Sequence, residues 1–176
     1  MIASFLLAVA CIATAQTAPT TDAMRFQAAL DLAKKCGDAT VKGDFATVLD
    51  LTHPDLIKAA GGREVVLKGV NESMTKMKEQ GVVMEAMKAE LPKSLTRSDS
   101  GCFAIIPVTV QMTSPGAKIT AKSFLVGFSS DDGKTWTFLD GTVGEKTLRK
   151  LVPSIPKELE FPPKVAPKVE RTESDK

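Results

Sequence analysis

Ser129-Ser130-Asp131-Asp132-Gly133-Lys134-Thr135-Trp136 reads as S-x-D-x-G-x-T-W, and the layout of the chain's second half follows from it. Each fixed position has a physical use. Asp131 is placed to accept hydrogen bonds from backbone amides two residues on, and Gly133 can take the positive φ that closes a turn. Trp136 can fold back over an apolar base. The flanking runs Phe124-Leu125-Val126-Gly127-Phe128 and Trp136-Thr137-Phe138-Leu139 supply two strands, which predicts a β-hairpin near 122–140. This is a statement about shape and carries no chemistry.

At the other end of the chain, Met1 to Ala15 has no charged side chain and holds the apolar run Phe5-Leu6-Leu7-Ala8-Val9-Ala10-Cys11-Ile12. The small-x-small triplet Ala13-Thr14-Ala15 follows. That is the grammar of a secretory signal spanning 1–15, without the usual basic start. The run is too short to span a hydrocarbon core of about 30 Å. A second reading takes Ala8-Val9-Ala10-Cys11 as a lipoprotein site with Cys11 lipidated, but no basic residue precedes it. The expectation is export, periplasmic or secreted, with cleavage after Ala15.

Export changes how the cysteines are read. Loss of Cys11 leaves Cys36 and Cys102, an even pair in an oxidising compartment. A bridge between them would close a loop of about 66 residues, stabilising by about 4 kcal/mol in the chain-entropy account. The alternative is two separate buried thiols acting as small apolar residues. A catalytic thiolate needs a base, and the chain has a single histidine.

Cleavage would leave 161 of the 176 residues, enough for one domain with a real core. Charge is nearly balanced, with 23 basic residues against 21 acidic, which argues against nucleic acid as a partner. No glycine-rich phosphate loop occurs. One histidine and two distant cysteines make a poor zinc set, so no metal or other cofactor is expected.

Helical patterning comes first along the chain. Thr20-Thr21-Asp22 predicts an N-cap, and Phe26, Leu30, Ala33, Gly37 and Val41 recur at helical spacing. Gly43 breaks that helix, and Asp44 can cap a second with Phe45, Val48 and Leu49 inward. His53-Pro54 ends it, because a residue before proline avoids the α region. A short helical turn, Asp55 to Ala60, reaches Gly61-Gly62. A third helix follows from Arg63 to Gln80, with Val66, Val70, Met74 and Met77 inward and Gly81 after its end.

Strands follow. Residues 83–89, between Gly81 and Pro92, are read as a strand. Cys102, Ala104, Ile106, Val108, Val110 and Met112 alternate as a half-buried strand should. Pro107 predicts an edge or a bulge there. Ser114-Pro115-Gly116 turns the chain into 119–128, and Gly144 to Val152 predicts a short helix. From Pro153 onward the chain holds five of its ten prolines, so 153–176 is read as a mobile tail that adds no core.

The layout is α+β: three N-terminal helices packed with an antiparallel sheet of about four strands, over 20–152. This order resembles small secreted bacterial members of the nuclear transport factor two-like superfamily. The residues that carry the resemblance are Gly43-Asp44-Phe45, Thr52-His53-Pro54-Asp55-Leu56, Gly61-Gly62 and Gly133-Lys134-Thr135-Trp136-Thr137-Phe138-Leu139-Asp140. The superfamily includes ketosteroid-isomerase-like and polyketide-cyclase-like enzymes. What the resemblance implies is a cone of helices wrapped by a curved sheet, a pocket at its wide end, and a homodimer through the sheet's outer face. Fold alone does not choose among catalysts, small-ligand binders and interaction modules.

Isomerase-like members build an oxyanion hole on tyrosine and a protonated aspartate; this chain has no tyrosine. Cyclase- and dehydratase-like members use a His/Asp pair, since imidazole titrates near neutrality and a carboxylate fixes its tautomer. The catalytic candidates are therefore His53 with Asp50 or Asp140. The competing role for His53 is structural, capping the second helix before Pro54.

The opening octapeptide matches the Asp box, which recurs across sialidase propellers. A single copy with five scattered arginines stabilises one hairpin and does not make a sialidase. Methionines 74, 77, 84, 87 and 112 are soft donors suited to copper(I), but at these spacings they read as core. The sequence thus points to an exported, non-catalytic domain that binds a small apolar ligand or a protein partner. A lyase- or isomerase-like enzyme using a His–carboxylate pair is the alternative.

Overall fold

The computed structural model describes residues 21–172. The expected leader, with Cys11 and Ala15, lies outside the described residues. Helix α1 (Asp22–Lys42) starts at Thr21, whose hydroxyl accepts the Met24 amide at 3.3 Å. Its buried face is mostly small, with Ala29, Ala33, Cys36, Gly37 and Ala39 beside Arg25 and Leu30. A methyl group on Gly37 would stand 2.8 Å from the Met87 carbonyl, so only glycine lets the helix sit this close to the sheet. Phe26 and Val41, expected inward, are only half-buried because the alanine stripe takes the contact.

Asp44 starts α2 (Phe45–Asp50), accepting both the amide (3.1 Å) and the hydroxyl (2.7 Å) of Thr47. His53 caps the next helix, α3 (Pro54–Ala59), its Nδ1 accepting the Asp55 amide at 3.2 Å. It therefore opens α3, where the sequence reading had it closing α2. Proline at the first helical position tolerates this arrangement, since its missing N–H would have no partner there. Helix α4 (Arg63–Glu79) turns Val66, Val70, Met74 and Met77 inward as expected, yet each stays half-exposed.

Six strands form one open antiparallel sheet among the described residues. They are β1 (Val83–Ala89), β2 (Leu95–Ser98), β3 (Gly101–Ser114), β4 (Ala117–Ser129), β5 (Thr137–Asp140) and β6 (Lys168–Arg171). The long β3–β4 pair is central. β1 and β2 share the outer edge of β3, and β5 and β6 share that of β4.

Pro107 lies in this central pair, opposite Phe124, and neither at an edge nor at a bulge. Pairing with β1 stops at Val108 of β3 and pairing with β2 starts at Ala104, so the missing N–H of Pro107 falls in the gap between them. Its carbonyl faces the same gap and accepts the Glu90 amide at 2.9 Å. The bulge is instead in β1, between Met84 and Ala86.

The sheet is buried on both faces where β3, β4 and β5 meet. Cys102, Ala104, Ile106, Val108, Leu125, Trp136 and Phe138 pack with Ala29, Ala33 and Cys36 of α1. On the opposite face Phe103, Phe124, Val126 and Leu139 pack under α5 (Glu145–Leu151) and the chain that follows it. That chain corrects the expected coreless tail. Ile155 and Leu159 are buried, Arg149 donates to the carbonyls of Pro156 (2.8 Å) and Leu159 (2.9 Å), and 168–171 joins β4 as a strand. The prolines supply extended backbone that reaches across the sheet without needing a ladder. No helix of the described residues is long and apolar enough to cross a membrane.

Candidate functional site

The turn at 129–136 is built almost entirely from its own side chains. Asp131 Oδ1 accepts the amides of Lys134 (3.1 Å) and Thr135 (2.9 Å) and the Ser129 hydroxyl (2.8 Å); Oδ2 accepts the Thr135 hydroxyl (2.7 Å). The amides are thus three and four residues on, one and two residues further than the sequence argument placed them. The Gly133 amide is taken by Ser129 Oγ at 2.8 Å, and Trp136 Nε1 donates to the Gly133 carbonyl at 3.0 Å. Burial works against the Asp131 anion, but the bonds from Thr135, Ser129 and Lys134 outweigh it and hold the carboxyl at about 2.

This turn is docked on α1 by Arg25, which is buried. Its Nε donates to the Asp132 carbonyl (3.0 Å) and its guanidinium pairs with the carboxylates of Asp132 and Asp22. Asp22 also receives Arg97 of β2 at 2.7 Å. Gly133, at φ 81, lies on the Arg25 stem, where a methyl group would stand 2.4 Å from Cγ. The region is fully committed to structure. Sequence reasoning counted Arg25 as one scattered arginine; its position one turn into α1, beside Asp22, was the available signal.

The three catalytic candidates are not brought together. Asp50 forms an exposed pair with Arg63 at 2.8 Å. His53 is buried, its ring 5.2 Å from that of Phe128, and burial pulls its pKa below the ordinary value despite the nearby Asp55. Phe128 belongs to the α5 side of the sheet. Asp140 belongs to the α1 side, where it lines a cavity and accepts the Thr142 amide at 2.8 Å. The parallel bridge between Thr52 and Phe138 fixes this split, since alternate residues of a strand face opposite sides. A neutral imidazole with its Nδ1 spent on a helix cap has no nearby carboxylate partner of the expected kind.

Cys36 and Cys102 are separate, free, buried thiols. Cys102 neighbours Arg97, Arg25 and Asp22, while Cys36 lies eleven residues further along α1, a rise of about 16 Å. Burial pushes the Cys36 thiol up to about 11 and also raises Cys102. Both are protonated at neutral pH and act as apolar wall.

One cavity between the elements has room for a small ligand. About 290 Å³ lies between the helices and the sheet, at the small end of ligand-site volumes. Helix α4 contributes Val70 and Met74, β1 contributes Met84 and Met87, and the floor is Val108, Val110 and Leu125. The β1 bulge matters here. Met84 and Met87 are three residues apart and would point to opposite faces of a regular strand; the extra residue turns both inward. Three thioethers and the Cys36 thiol therefore share this wall, a set that fits soft, apolar contact. Among the described residues no group of three His, Cys, Asp or Glu is arranged to hold a metal ion.

Larger clefts of about 440 and 430 Å³ lie on the other face, along the strap 158–165. Sequence reasoning singled out Asp140 but not the rest of this wall, because Ser123 and Thr142 join it only through the pairing of β4 with β5. Comparison with protein-family models, with curated proteins and with solved structures gave no match for this chain.

Proposed function

We propose that this chain is an exported, non-catalytic binding domain of the nuclear transport factor two-like type, a cone with a single Asp-box hairpin, that takes a small apolar ligand at its wide end. One observation carries the reading: a cavity of about 290 Å³ with an apolar wall, covered by a helix whose inward side chains stay half-exposed. The placement of His53 and Asp140 on opposite faces favours binding over lyase or isomerase chemistry. Homodimerisation through the outer sheet surface belongs to the same proposal. It would use the half not covered by residues 155–165, and a monomer by light scattering at high concentration would contradict it.

The test is titration with a neutral naphthalene probe. The wild type should give saturable fluorescence enhancement, and Val110→Phe, which fills the floor, should abolish it. Equal enhancement in both proteins would place the probe elsewhere and defeat the reading.

A further inference from the structure

We infer that the ligand of this cavity is an amphiphile whose head group donates a hydrogen bond, an amine or an alcohol, held by Asp140 with Ser123 and Thr142; the inference rests on the binding reading above. The wall is polar at one end only. Thr40 and Thr52 also line the cavity, but their hydroxyls are spent on the Cys36 and Val48 carbonyls, each at 2.8 Å. The Cys36 thiol is held protonated by burial. What remains is the second oxygen of the Asp140 carboxylate, the first being occupied by the Thr142 amide, together with the hydroxyls of Ser123 and Thr142.

Register puts these three groups side by side. Asp140 pairs with Leu125, two residues from Ser123, and Thr142 lies two residues past the end of β5. The methionines lie on β1, three strand spacings away, or about 14 Å. An apolar chain running from Met84 and Met87 toward β5 therefore ends at acceptors, one of them charged. A carboxylate head would meet Asp140 with like charge, whereas an ammonium or hydroxyl gains a charge-assisted bond.

The polar end is also the opening. β5 pairs β4 over 125–128 and β6 pairs it over 117–120, so the β4 edge at 121–124 has no strand beside it. Ser123 and Thr142 line both the cavity and the outer groove across this slot. Two cations stand in that groove, Lys122 and Lys164, the latter donating to the Thr142 carbonyl at 3.4 Å. They and Asp140 are all exposed, but Asp140 borders the cavity and the lysines border the outer groove.

Octylamine, octanol and octanoate competing with the naphthalene probe test this. The amine and the alcohol should displace the probe at concentrations at least about tenfold lower than the carboxylate, the size of one charge-assisted bond. Asp140→Asn keeps an acceptor for the Thr142 amide and should bring amine and carboxylate within about threefold. Ser123→Val provides a second variant and should raise the octanol concentration needed to displace the probe. Octanoate binding as well as octylamine, or an unchanged preference in Asp140→Asn, would overturn the assignment. Probe binding with no competition from any of the three would overturn it while leaving the cavity reading standing. Failure of the probe itself would remove both.

Discussion

The two ends of the sheet are held in different ways. At the 129–136 turn, Asp131, Ser129, Gly133 and Trp136 satisfy one another, Arg25 fastens the turn to α1, and both faces of the sheet are buried. Under α4 the inward side chains are half-exposed methionines and valines around open space. Dense packing and complete hydrogen bonding fix one geometry; a Met-lined void tolerates several. The contrast locates the rigid scaffold and the adaptable site in one domain.

Truncating the centre of the rigid end should have the largest effect. Trp136 is 2% exposed and its ring fills the space over Gly127. Trp136→Ala should cost about 3–5 kcal/mol in urea unfolding. A loss similar to that from a half-buried residue would erase the distinction between the two ends.

The Asp131 turn adds a pH signature. Its folded pKa, about 2, is depressed from 3.8, so its contribution is complete above the unfolded value and drains away as pH falls from about 4 through 2. The group is half-exposed, and screening reduces the effect to about 1 kcal/mol. Asp131→Asn should be less stable than the wild type at pH 6, with the gap closing by pH 2. A constant gap would mean the carboxylate charge is not what holds the turn.

At the adaptable end, Met74→Ala should cost less than about 1 kcal/mol, since the side chain already borders a void and its loss creates little new cavity. It should also loosen probe binding, separating stability from function there. The smallest effect concerns Thr137, whose hydroxyl is the one buried side-chain polar atom without a partner among the described residues. Thr137→Val removes an unsatisfied group at nearly constant volume and should be neutral or stabilising by up to about 1 kcal/mol. A clear loss would reveal a bond to solvent.

Legibility in the sequence followed the same divide. Local chemistry was readable: Thr21 and Asp44 as caps, Gly43 as a stop, and the hairpin around Asp131–Gly133. Strand alternation in Cys102–Met112 was readable too. Positions set by long-range register were not. Pro107 looks like an edge residue until β1 and β2 are seen to leave a gap opposite it. Ile155 and Leu159 look like tail residues because two isolated apolar positions among prolines have no periodicity, although α5 and Arg149 fold them down as core. Met84 and Met87 carried a faint signal, since their spacing suits one face of a strand only if a bulge intervenes. Ser123 and Thr142 carried none, while Asp140 was legible as a candidate, though for catalysis beside His53.

The cavity is the claim on which the account depends, and xenon bound in a crystal of the protein tests it most directly. Apolar hollows of this size take up such atoms. Density for xenon between Met74, Met87 and Val108 is the predicted result. An empty map at that point, with Met74 and Met87 closed against Val108 and Leu125, would contradict it.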